Sequence, residues 1–193
     1  MRQLIEYIKS HVALSDEDII LLRQNVEIRD YDAHSLVFES GNVAHEIYFV
    51  LKGFVRLFYW TNGMDKTAYF YAEDTFICAG KSYLQAVPAL ENFQTIEKTR
   101  LCVLKRAKVD YIIRKIPKLD IIARLAVENE LIATQELISS FVTKSPEQRY
   151  IDLLETNKKL IQRAPQRYVA SYLGVSPETL SRIKRRTSPK PLS

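Results

Sequence analysis

The dipeptide Asn62-Gly63 lies between two runs rich in aromatic and β-branched residues, 54–60 and 68–71. A two-residue type I′ turn needs positive φ at both central positions, and Asn-Gly meets that need with little strain. A hairpin is therefore expected there, and it is one of a series. From Val26 to Lys105, short apolar runs at 36–38, 47–51, 93–97 and 101–104 alternate with turn signals such as Glu39-Ser40-Gly41-Asn42 and Lys52-Gly53. Residues of these types suit a pleated, half-buried surface. Strands so short and so regularly spaced predict a small antiparallel β-barrel or jelly roll. A brief helix is expected over 81–87, ended by Pro88.

Helical patterns flank this region. Leu4, Ile5, Ile8 and Val12 recur at helical spacing, and Ser15 before Asp16, Glu17 and Asp18 reads as a capped helix start. Helical spacing returns after Arg106. Pro117 suits a first helical position, and no Pro or Gly follows until about Val142. A helix of roughly 26 residues would be about 39 Å long. Ile121, Ile122, Leu125, Ile132, Ile138 and Val142 give it an apolar stripe, with Asn129 and Gln135 on or beside it. That is more apolar length than one face of a small β-domain covers, so the helix is expected to pair two subunits. Thr143-Lys144-Ser145-Pro146 breaks the pattern, and Ser145, Pro146 and Glu147 supply a cap, a first position and an acidic first turn. The expected fold class is α+β, in three parts: a β-domain over 1–116, a dimerisation helix and hinge over 117–144, and an all-α domain over 145–193.

Apolar residues make up 47% and charged residues 26% of the 193 residues, which excludes disorder throughout. No apolar run approaches the ~18 residues of a membrane span, and the N-terminus lacks the apolar core of a signal peptide. With Cys78 and Cys102 alone, neither a disulfide framework nor a Cys-rich metal site is expected, and a reducing cytoplasm fits. His11, His34 and His45 are scattered, which argues against a metal centre. There is no Gly-rich phosphate loop, GxSxG or Cys–His set, so no catalytic residues, no cofactor and no enzyme activity are expected.

Charge is divided unevenly. Residues 1–142 hold 17 Lys/Arg against 19 Asp/Glu, a net of −2, whereas residues 143–193 hold 11 against 4, a net of +7. A basic terminal module points to a polyanion.

Within it, QRYVASYLGVSPETLSRIKRR (166–186) reads as a helix–turn–helix. Val169, Ala170 and Leu173 line one face, Gly174 makes the turn, and Val175 plugs the core beneath it. Ser176 caps a second helix with Pro177 first and Glu178 in its first turn. Leu180 and Ile183 face inward. A helix of this kind fits the DNA major groove, its N-terminal side chains reaching base edges. Arg182 suits a guanine, Glu178 a cytosine amine, and Pro177 a thymine methyl. Arg167, Ser176, Thr179 and Ser181 suit backbone contacts, and Lys184, Arg185 and Arg186 add attraction through counterion release. A second reading is a ligand-binding regulatory module whose helical tail contacts a protein partner. Steep salt-dependent DNA affinity separates the two.

The run HEIYFVLKGFVRLFY (45–59), the long helix after Pro117 and VASYLGVSPETLSRI (169–183) resemble the Crp/Fnr family of bacterial transcription regulators, the Bacteroidetes-type members in particular. The resemblance spans nearly the whole chain. It implies a cyclic-nucleotide-binding-like sensor domain over 1–116, a homodimer, a DNA-binding helix–turn–helix, and double-stranded DNA and RNA polymerase as partners. Glu178 and Arg182 match the family's base-reading positions, while Pro177 stands where many members carry Arg. Arg167, Ser176 and Thr179 match phosphate-contacting positions.

The effector region departs from the family. Members that bind cyclic AMP carry a Gly-Glu pair and an Arg-Ser/Thr-Ala run. This chain has no Glu after a Gly in that stretch and no Arg between Lys66 and Arg100. A cyclic phosphate would lose its charge-assisted partner, so cyclic AMP and cyclic GMP are not expected as ligands. Thr134 and Gln135, with Ser82, Tyr83 and Gln94, are candidates to line a pocket for a different small effector. SPKPLS (188–193) is too short for the β-hairpin wing that many relatives carry, so no full wing is expected.

Overall fold

The structure is a computed structural model that describes residues 1–187. Two helices open the chain, α1 (Arg2–Lys9) and α2 (Asp16–Asn25). The second begins with a capping box. Ser15 Oγ accepts from the Asp18 amide at 3.1 Å while the Ser15 amide donates to the Asp18 carboxylate at 3.0 Å.

Eight strands follow: β1 (Glu27–Tyr31), β2 (Leu36–Phe38), β3 (Glu46–Lys52), β4 (Val55–Thr61), β5 (Met64–Tyr71), β6 (Phe76–Ile77), β7 (Asn92–Thr95) and β8 (Thr99–Lys105). They form two antiparallel four-stranded sheets, β1-β8-β3-β6 and β2-β7-β4-β5. The expected hairpin joins β4 to β5, with Asn62 at φ +53° and Gly63 at φ +74°. Tyr48, Val50, Val55, Tyr71, Phe93 and Leu101 fill the space between the sheets.

Both sheets are also covered on their outer faces. Phe49, Leu51 and Cys102 point away from the inter-sheet core and pack with Leu4, Ile8 and Leu22 of α1 and α2. The run IYFVL of β3 is continuously apolar because it is buried on both sides. The second sheet turns Phe54 and Phe70 outward onto the C-terminal helices, with Tyr168, Leu173 and Leu180 in the same core.

Two expectations need correction, and two strands lie outside the runs that announced the others. The strands β1 and β6 lack an apolar run in the sequence: EIRDY is a half-exposed edge strand held by Asp30 against Arg100 across to β8, and FI is two residues long. The inserted helix α3 spans Gly80–Gln85 and closes at Ala86 in the left-handed region at φ +54°; Pro88 lies beyond it, bridged to Val43. The long helix does not start at Pro117. Pro117–Leu119 is a 3₁₀ turn that follows α4 (Arg106–Lys115), and α5 runs over Asp120–Thr143.

The all-α part comprises α6 (Pro146–Thr156), α7 (Lys158–Arg163), α8 (Gln166–Tyr172) and α9 (Pro177–Thr187). The cap expected at Ser145 is present as a full box with Gln148. The expectation about a wing falls on 188–193, outside the described residues. No helix among the described residues is long and apolar enough to cross a membrane.

Candidate nucleic-acid interface

The turn between α8 and α9 is built from local rules. Gly174 has φ +71°, which favours glycine, and a Cβ there would stand 2.9 Å from Cε1 of Phe141, so the ring would have to shift to admit a side chain. The Val175 amide donates to the Ala170 carbonyl at 3.0 Å, closing α8. Ser176 Oγ accepts from the Thr179 amide at 3.2 Å and caps α9. Leu180 and Ile183 are buried against Val169, Ala170 and Leu173, which fixes the rotation of α9 about its axis.

That rotation sets the outer face. Ser176, Pro177, Glu178, Ser181, Arg182, Arg185 and Arg186 are exposed, and Thr179 and Lys184 are half-buried. Arg182 donates to Thr179 Oγ1 at 3.0 Å, one turn back towards the helix start. The Ser176 hydroxyl, the Glu178 amide and Arg182 hold the Glu178 carboxyl below its ordinary value, so it stands ionised as an acceptor. Arg186 pairs loosely with Glu147 at 3.8 Å. Arg167 is exposed on α8, its guanidinium folded on its neighbour: Nη2 donates to Tyr168 Oη at 2.8 Å and the group lies 4.6 Å from the Tyr168 ring centre.

The five residues considered for an effector pocket are more dispersed. Ser82 is buried and committed to backbone, accepting from the Ala44 amide at 2.8 Å and donating to the Val87 carbonyl. Tyr83 is buried in the inter-sheet core. Gln94 is engaged at both ends, accepting from Arg56 and donating to the His34 carbonyl at 3.0 Å. Thr134 hydrogen-bonds its own helix at the Glu130 carbonyl. Gln135 lines a groove of about 600 Å³ between α5, α6 and α8, which none of the other four lines. Where the β-domain meets α5, the Tyr71 hydroxyl donates to the Glu130 carboxylate at 3.1 Å. Burial, with Glu91 and Glu130 adding to it, pushes the Cys78 thiol up to about 12, which leaves it an unreactive small hydrophobe.

Arg56 was absent from the sequence reading. It sits on β4 at 2% exposure, on the outer face of the second sheet. Its guanidinium donates to Gln94 Oε1 at 2.9 and 2.7 Å, to Thr67 Oγ1 at 3.1 Å and to Asp65 at 2.6 Å. It lies 4.2 Å from the Phe58 ring centre and 3.7 Å from that of Tyr168 on α8. A buried charge is tolerable when it is paired and hydrogen-bonded in this way. Among the described residues, no group of three or more His, Cys, Asp or Glu could hold a metal ion.

Residues 28–115 match the family model of the cyclic nucleotide-binding domain. No curated protein sequence matches the chain. Among solved structures, it is similar to CLP, the c-di-GMP responsive global regulator of Xanthomonas campestris, at a TM-score of 0.74 and 15% identity, over 89% of this chain and 91% of that one. FixK2 from Bradyrhizobium japonicum gives 0.70 at 18% identity, over 83% of each chain. The Thermus thermophilus catabolite activator protein gives 0.55 at 23% identity, over 90% of this chain and 84% of that one. Likeness at these identities is a likeness of fold: an antiparallel cyclic-nucleotide-binding-type domain followed by helices.

Proposed function

We propose that the chain is a homodimeric, sequence-specific DNA-binding transcription regulator of the Crp/Fnr type, its β-domain serving as sensor. The observation that carries this reading is the exposed polar face of α9, beginning at a capped, positively polarised end and flanked by the basic residues 184–186. Pro177, Glu178 and Arg182 read bases, with Arg167, Ser176, Thr179 and Ser181 on the backbone. The folds of CLP, FixK2 and the catabolite activator protein support the assignment by analogy.

Dimerisation rests on α5. Val127, Leu131, Ile138 and Phe141 are exposed on it, with Thr134 between them, and their spacing alternates between four and three residues. This is the seam of a two-stranded coiled coil. Two copies joined along it would present α9 to successive major grooves of a pseudo-palindromic site, about 34 Å apart. RNA polymerase is the natural protein partner of such a regulator.

The sensor's ligand is neither cyclic AMP nor cyclic GMP in this reading. The Tyr71–Glu130 contact and the carboxylates of Glu91 and Glu130 give the junction between β-domain and α5 a negative character that a phosphate monoanion would meet unfavourably.

Replacing Arg182 with Ala tests the central claim. The variant should lose discrimination at one base pair per half-site, worth about 1–3 kcal/mol, with non-specific affinity little changed. Equal ratios of selected to random duplex affinity in variant and wild type would refute the role of Arg182.

A further inference from the structure

The second sheet and the C-terminal helices meet at two charged points and one apolar patch. Arg163, the last residue of α7, makes forked hydrogen bonds to two carboxylates of the β-domain. Its Nη1 and Nη2 donate to Glu73 at 2.9 Å each, and Nη2 and Nε donate to Glu97 at 2.7 and 3.3 Å. The Gly53 amide also donates to Glu73 at 2.9 Å, tying that carboxylate to the β3–β4 turn. The second point is Arg56 against Tyr168. Between them, the Thr67 amide of β5 donates to Ser171 Oγ on α8 at 2.9 Å, and Phe70 meets Tyr172 edge to face. The helical part is therefore clasped, not merely tethered by residues 143–145.

The clasp leaves the outer face of α9 open. Pro177, Glu178 and Arg182 are exposed while α7 and α8 are docked. Within one subunit, docking leaves the recognition surface uncovered and fixes where that surface points.

We propose that the contact is a lock that presets the direction of α9 in each subunit, with Arg163 as its positioning residue. The inference rests on the DNA-binding reading above. A dimer with locked heads offers its second recognition helix to the second half-site at a defined place, whereas heads free on a short link lose effective concentration there. Gln94 contacts Arg56, Arg56 lies on Tyr168, and Tyr168 accepts from Arg167, so the lock joins the outer face of the second sheet to a residue assigned to the DNA backbone.

The test uses full-length Arg163→Met and a duplex that the wild-type protein enriches from a random pool, alongside that duplex cut at its centre of symmetry. Arg163→Met should bind the two-half-site duplex about tenfold more weakly and the half-site within about twofold of wild type. Arg163→Lys, which keeps charge but loses the fork, should fall between. Glu97→Gln serves as a second variant should Arg163→Met fold poorly, with the same pattern expected. Amide exchange supplies a readout independent of DNA: the Thr67 amide should exchange faster in Arg163→Met while its neighbours in β5 do not. Equal losses on both duplexes would mean that Arg163 touches DNA, and tighter binding would mean that the lock masks; either overturns the proposal, as does no change. If wild type selects no duplex, the DNA reading fails and this role with it. Unchanged Thr67 exchange would overturn the lock alone.

Discussion

Gly174 is fixed by its backbone and crowded by a neighbouring ring. Its positive φ excludes most side chains, and the Phe141 ring fills the space that a Cβ would need. Gly174→Ala should destabilise the chain by about 1–3 kcal/mol in urea unfolding, from backbone strain plus displacement of the ring. The backbone half of this was legible in the sequence, because a Gly before a capped helix start is a local signal. The steric half was not, since Phe141 lies far along the chain. Arg56 was illegible for the same reason in a stronger form. Strand alternation places it on an outward face, and an outward Arg reads as solvated. Only the arrival of Tyr168 more than a hundred residues later makes that face an interior.

At the level of elements, capped helices and the Asn62-Gly63 hairpin could be read directly, because caps and turns depend on neighbours within four residues. The faces of α5 could not. The helix carries apolar residues on several sides, and the expected stripe mixed Ile122, which is buried in the core that α1, α2 and α4 share with the first sheet, with Ile138 and Val142, which are exposed. Leu131 and Val127, missing from that stripe, complete the exposed seam. Which side of a helix is buried depends on where the sheet sits, and the sheet is assembled from strands remote in sequence. If the seam pairs two copies, Ile138→Asp should give a monomer in sedimentation at micromolar concentration, with secondary structure unchanged by circular dichroism. A dimer that persists would move the interface elsewhere.

For the molecule as a whole, the lock links protonation to the arrangement of its parts. Burial alone would raise the Glu73 carboxyl. Hydrogen bonds from Arg163, the Gly53 amide and the Glu73 amide outweigh it and hold the group at about 2, against an ordinary 4.5. Because the docked value is the lower one, the contribution to stability is complete above about 4.5 and is lost as pH falls towards 2. Wild type should therefore lose stability through that window more steeply than Glu73→Gln, compared by urea unfolding at a series of pH values. Matching slopes would show that docking does not depend on this carboxylate.

The apolar patch under the clasp carries a further consequence. Swinging the head away would wet Phe54, Phe70 and Ile96 together with the helix residues now pressed on them. Exposure of greasy surface is unfavourable at roughly 25 cal/mol for each Å². An undocked head is thus no passive resting posture, and any ligand that draws it off the sheet must prefer the open shape strongly enough to offset that wetting.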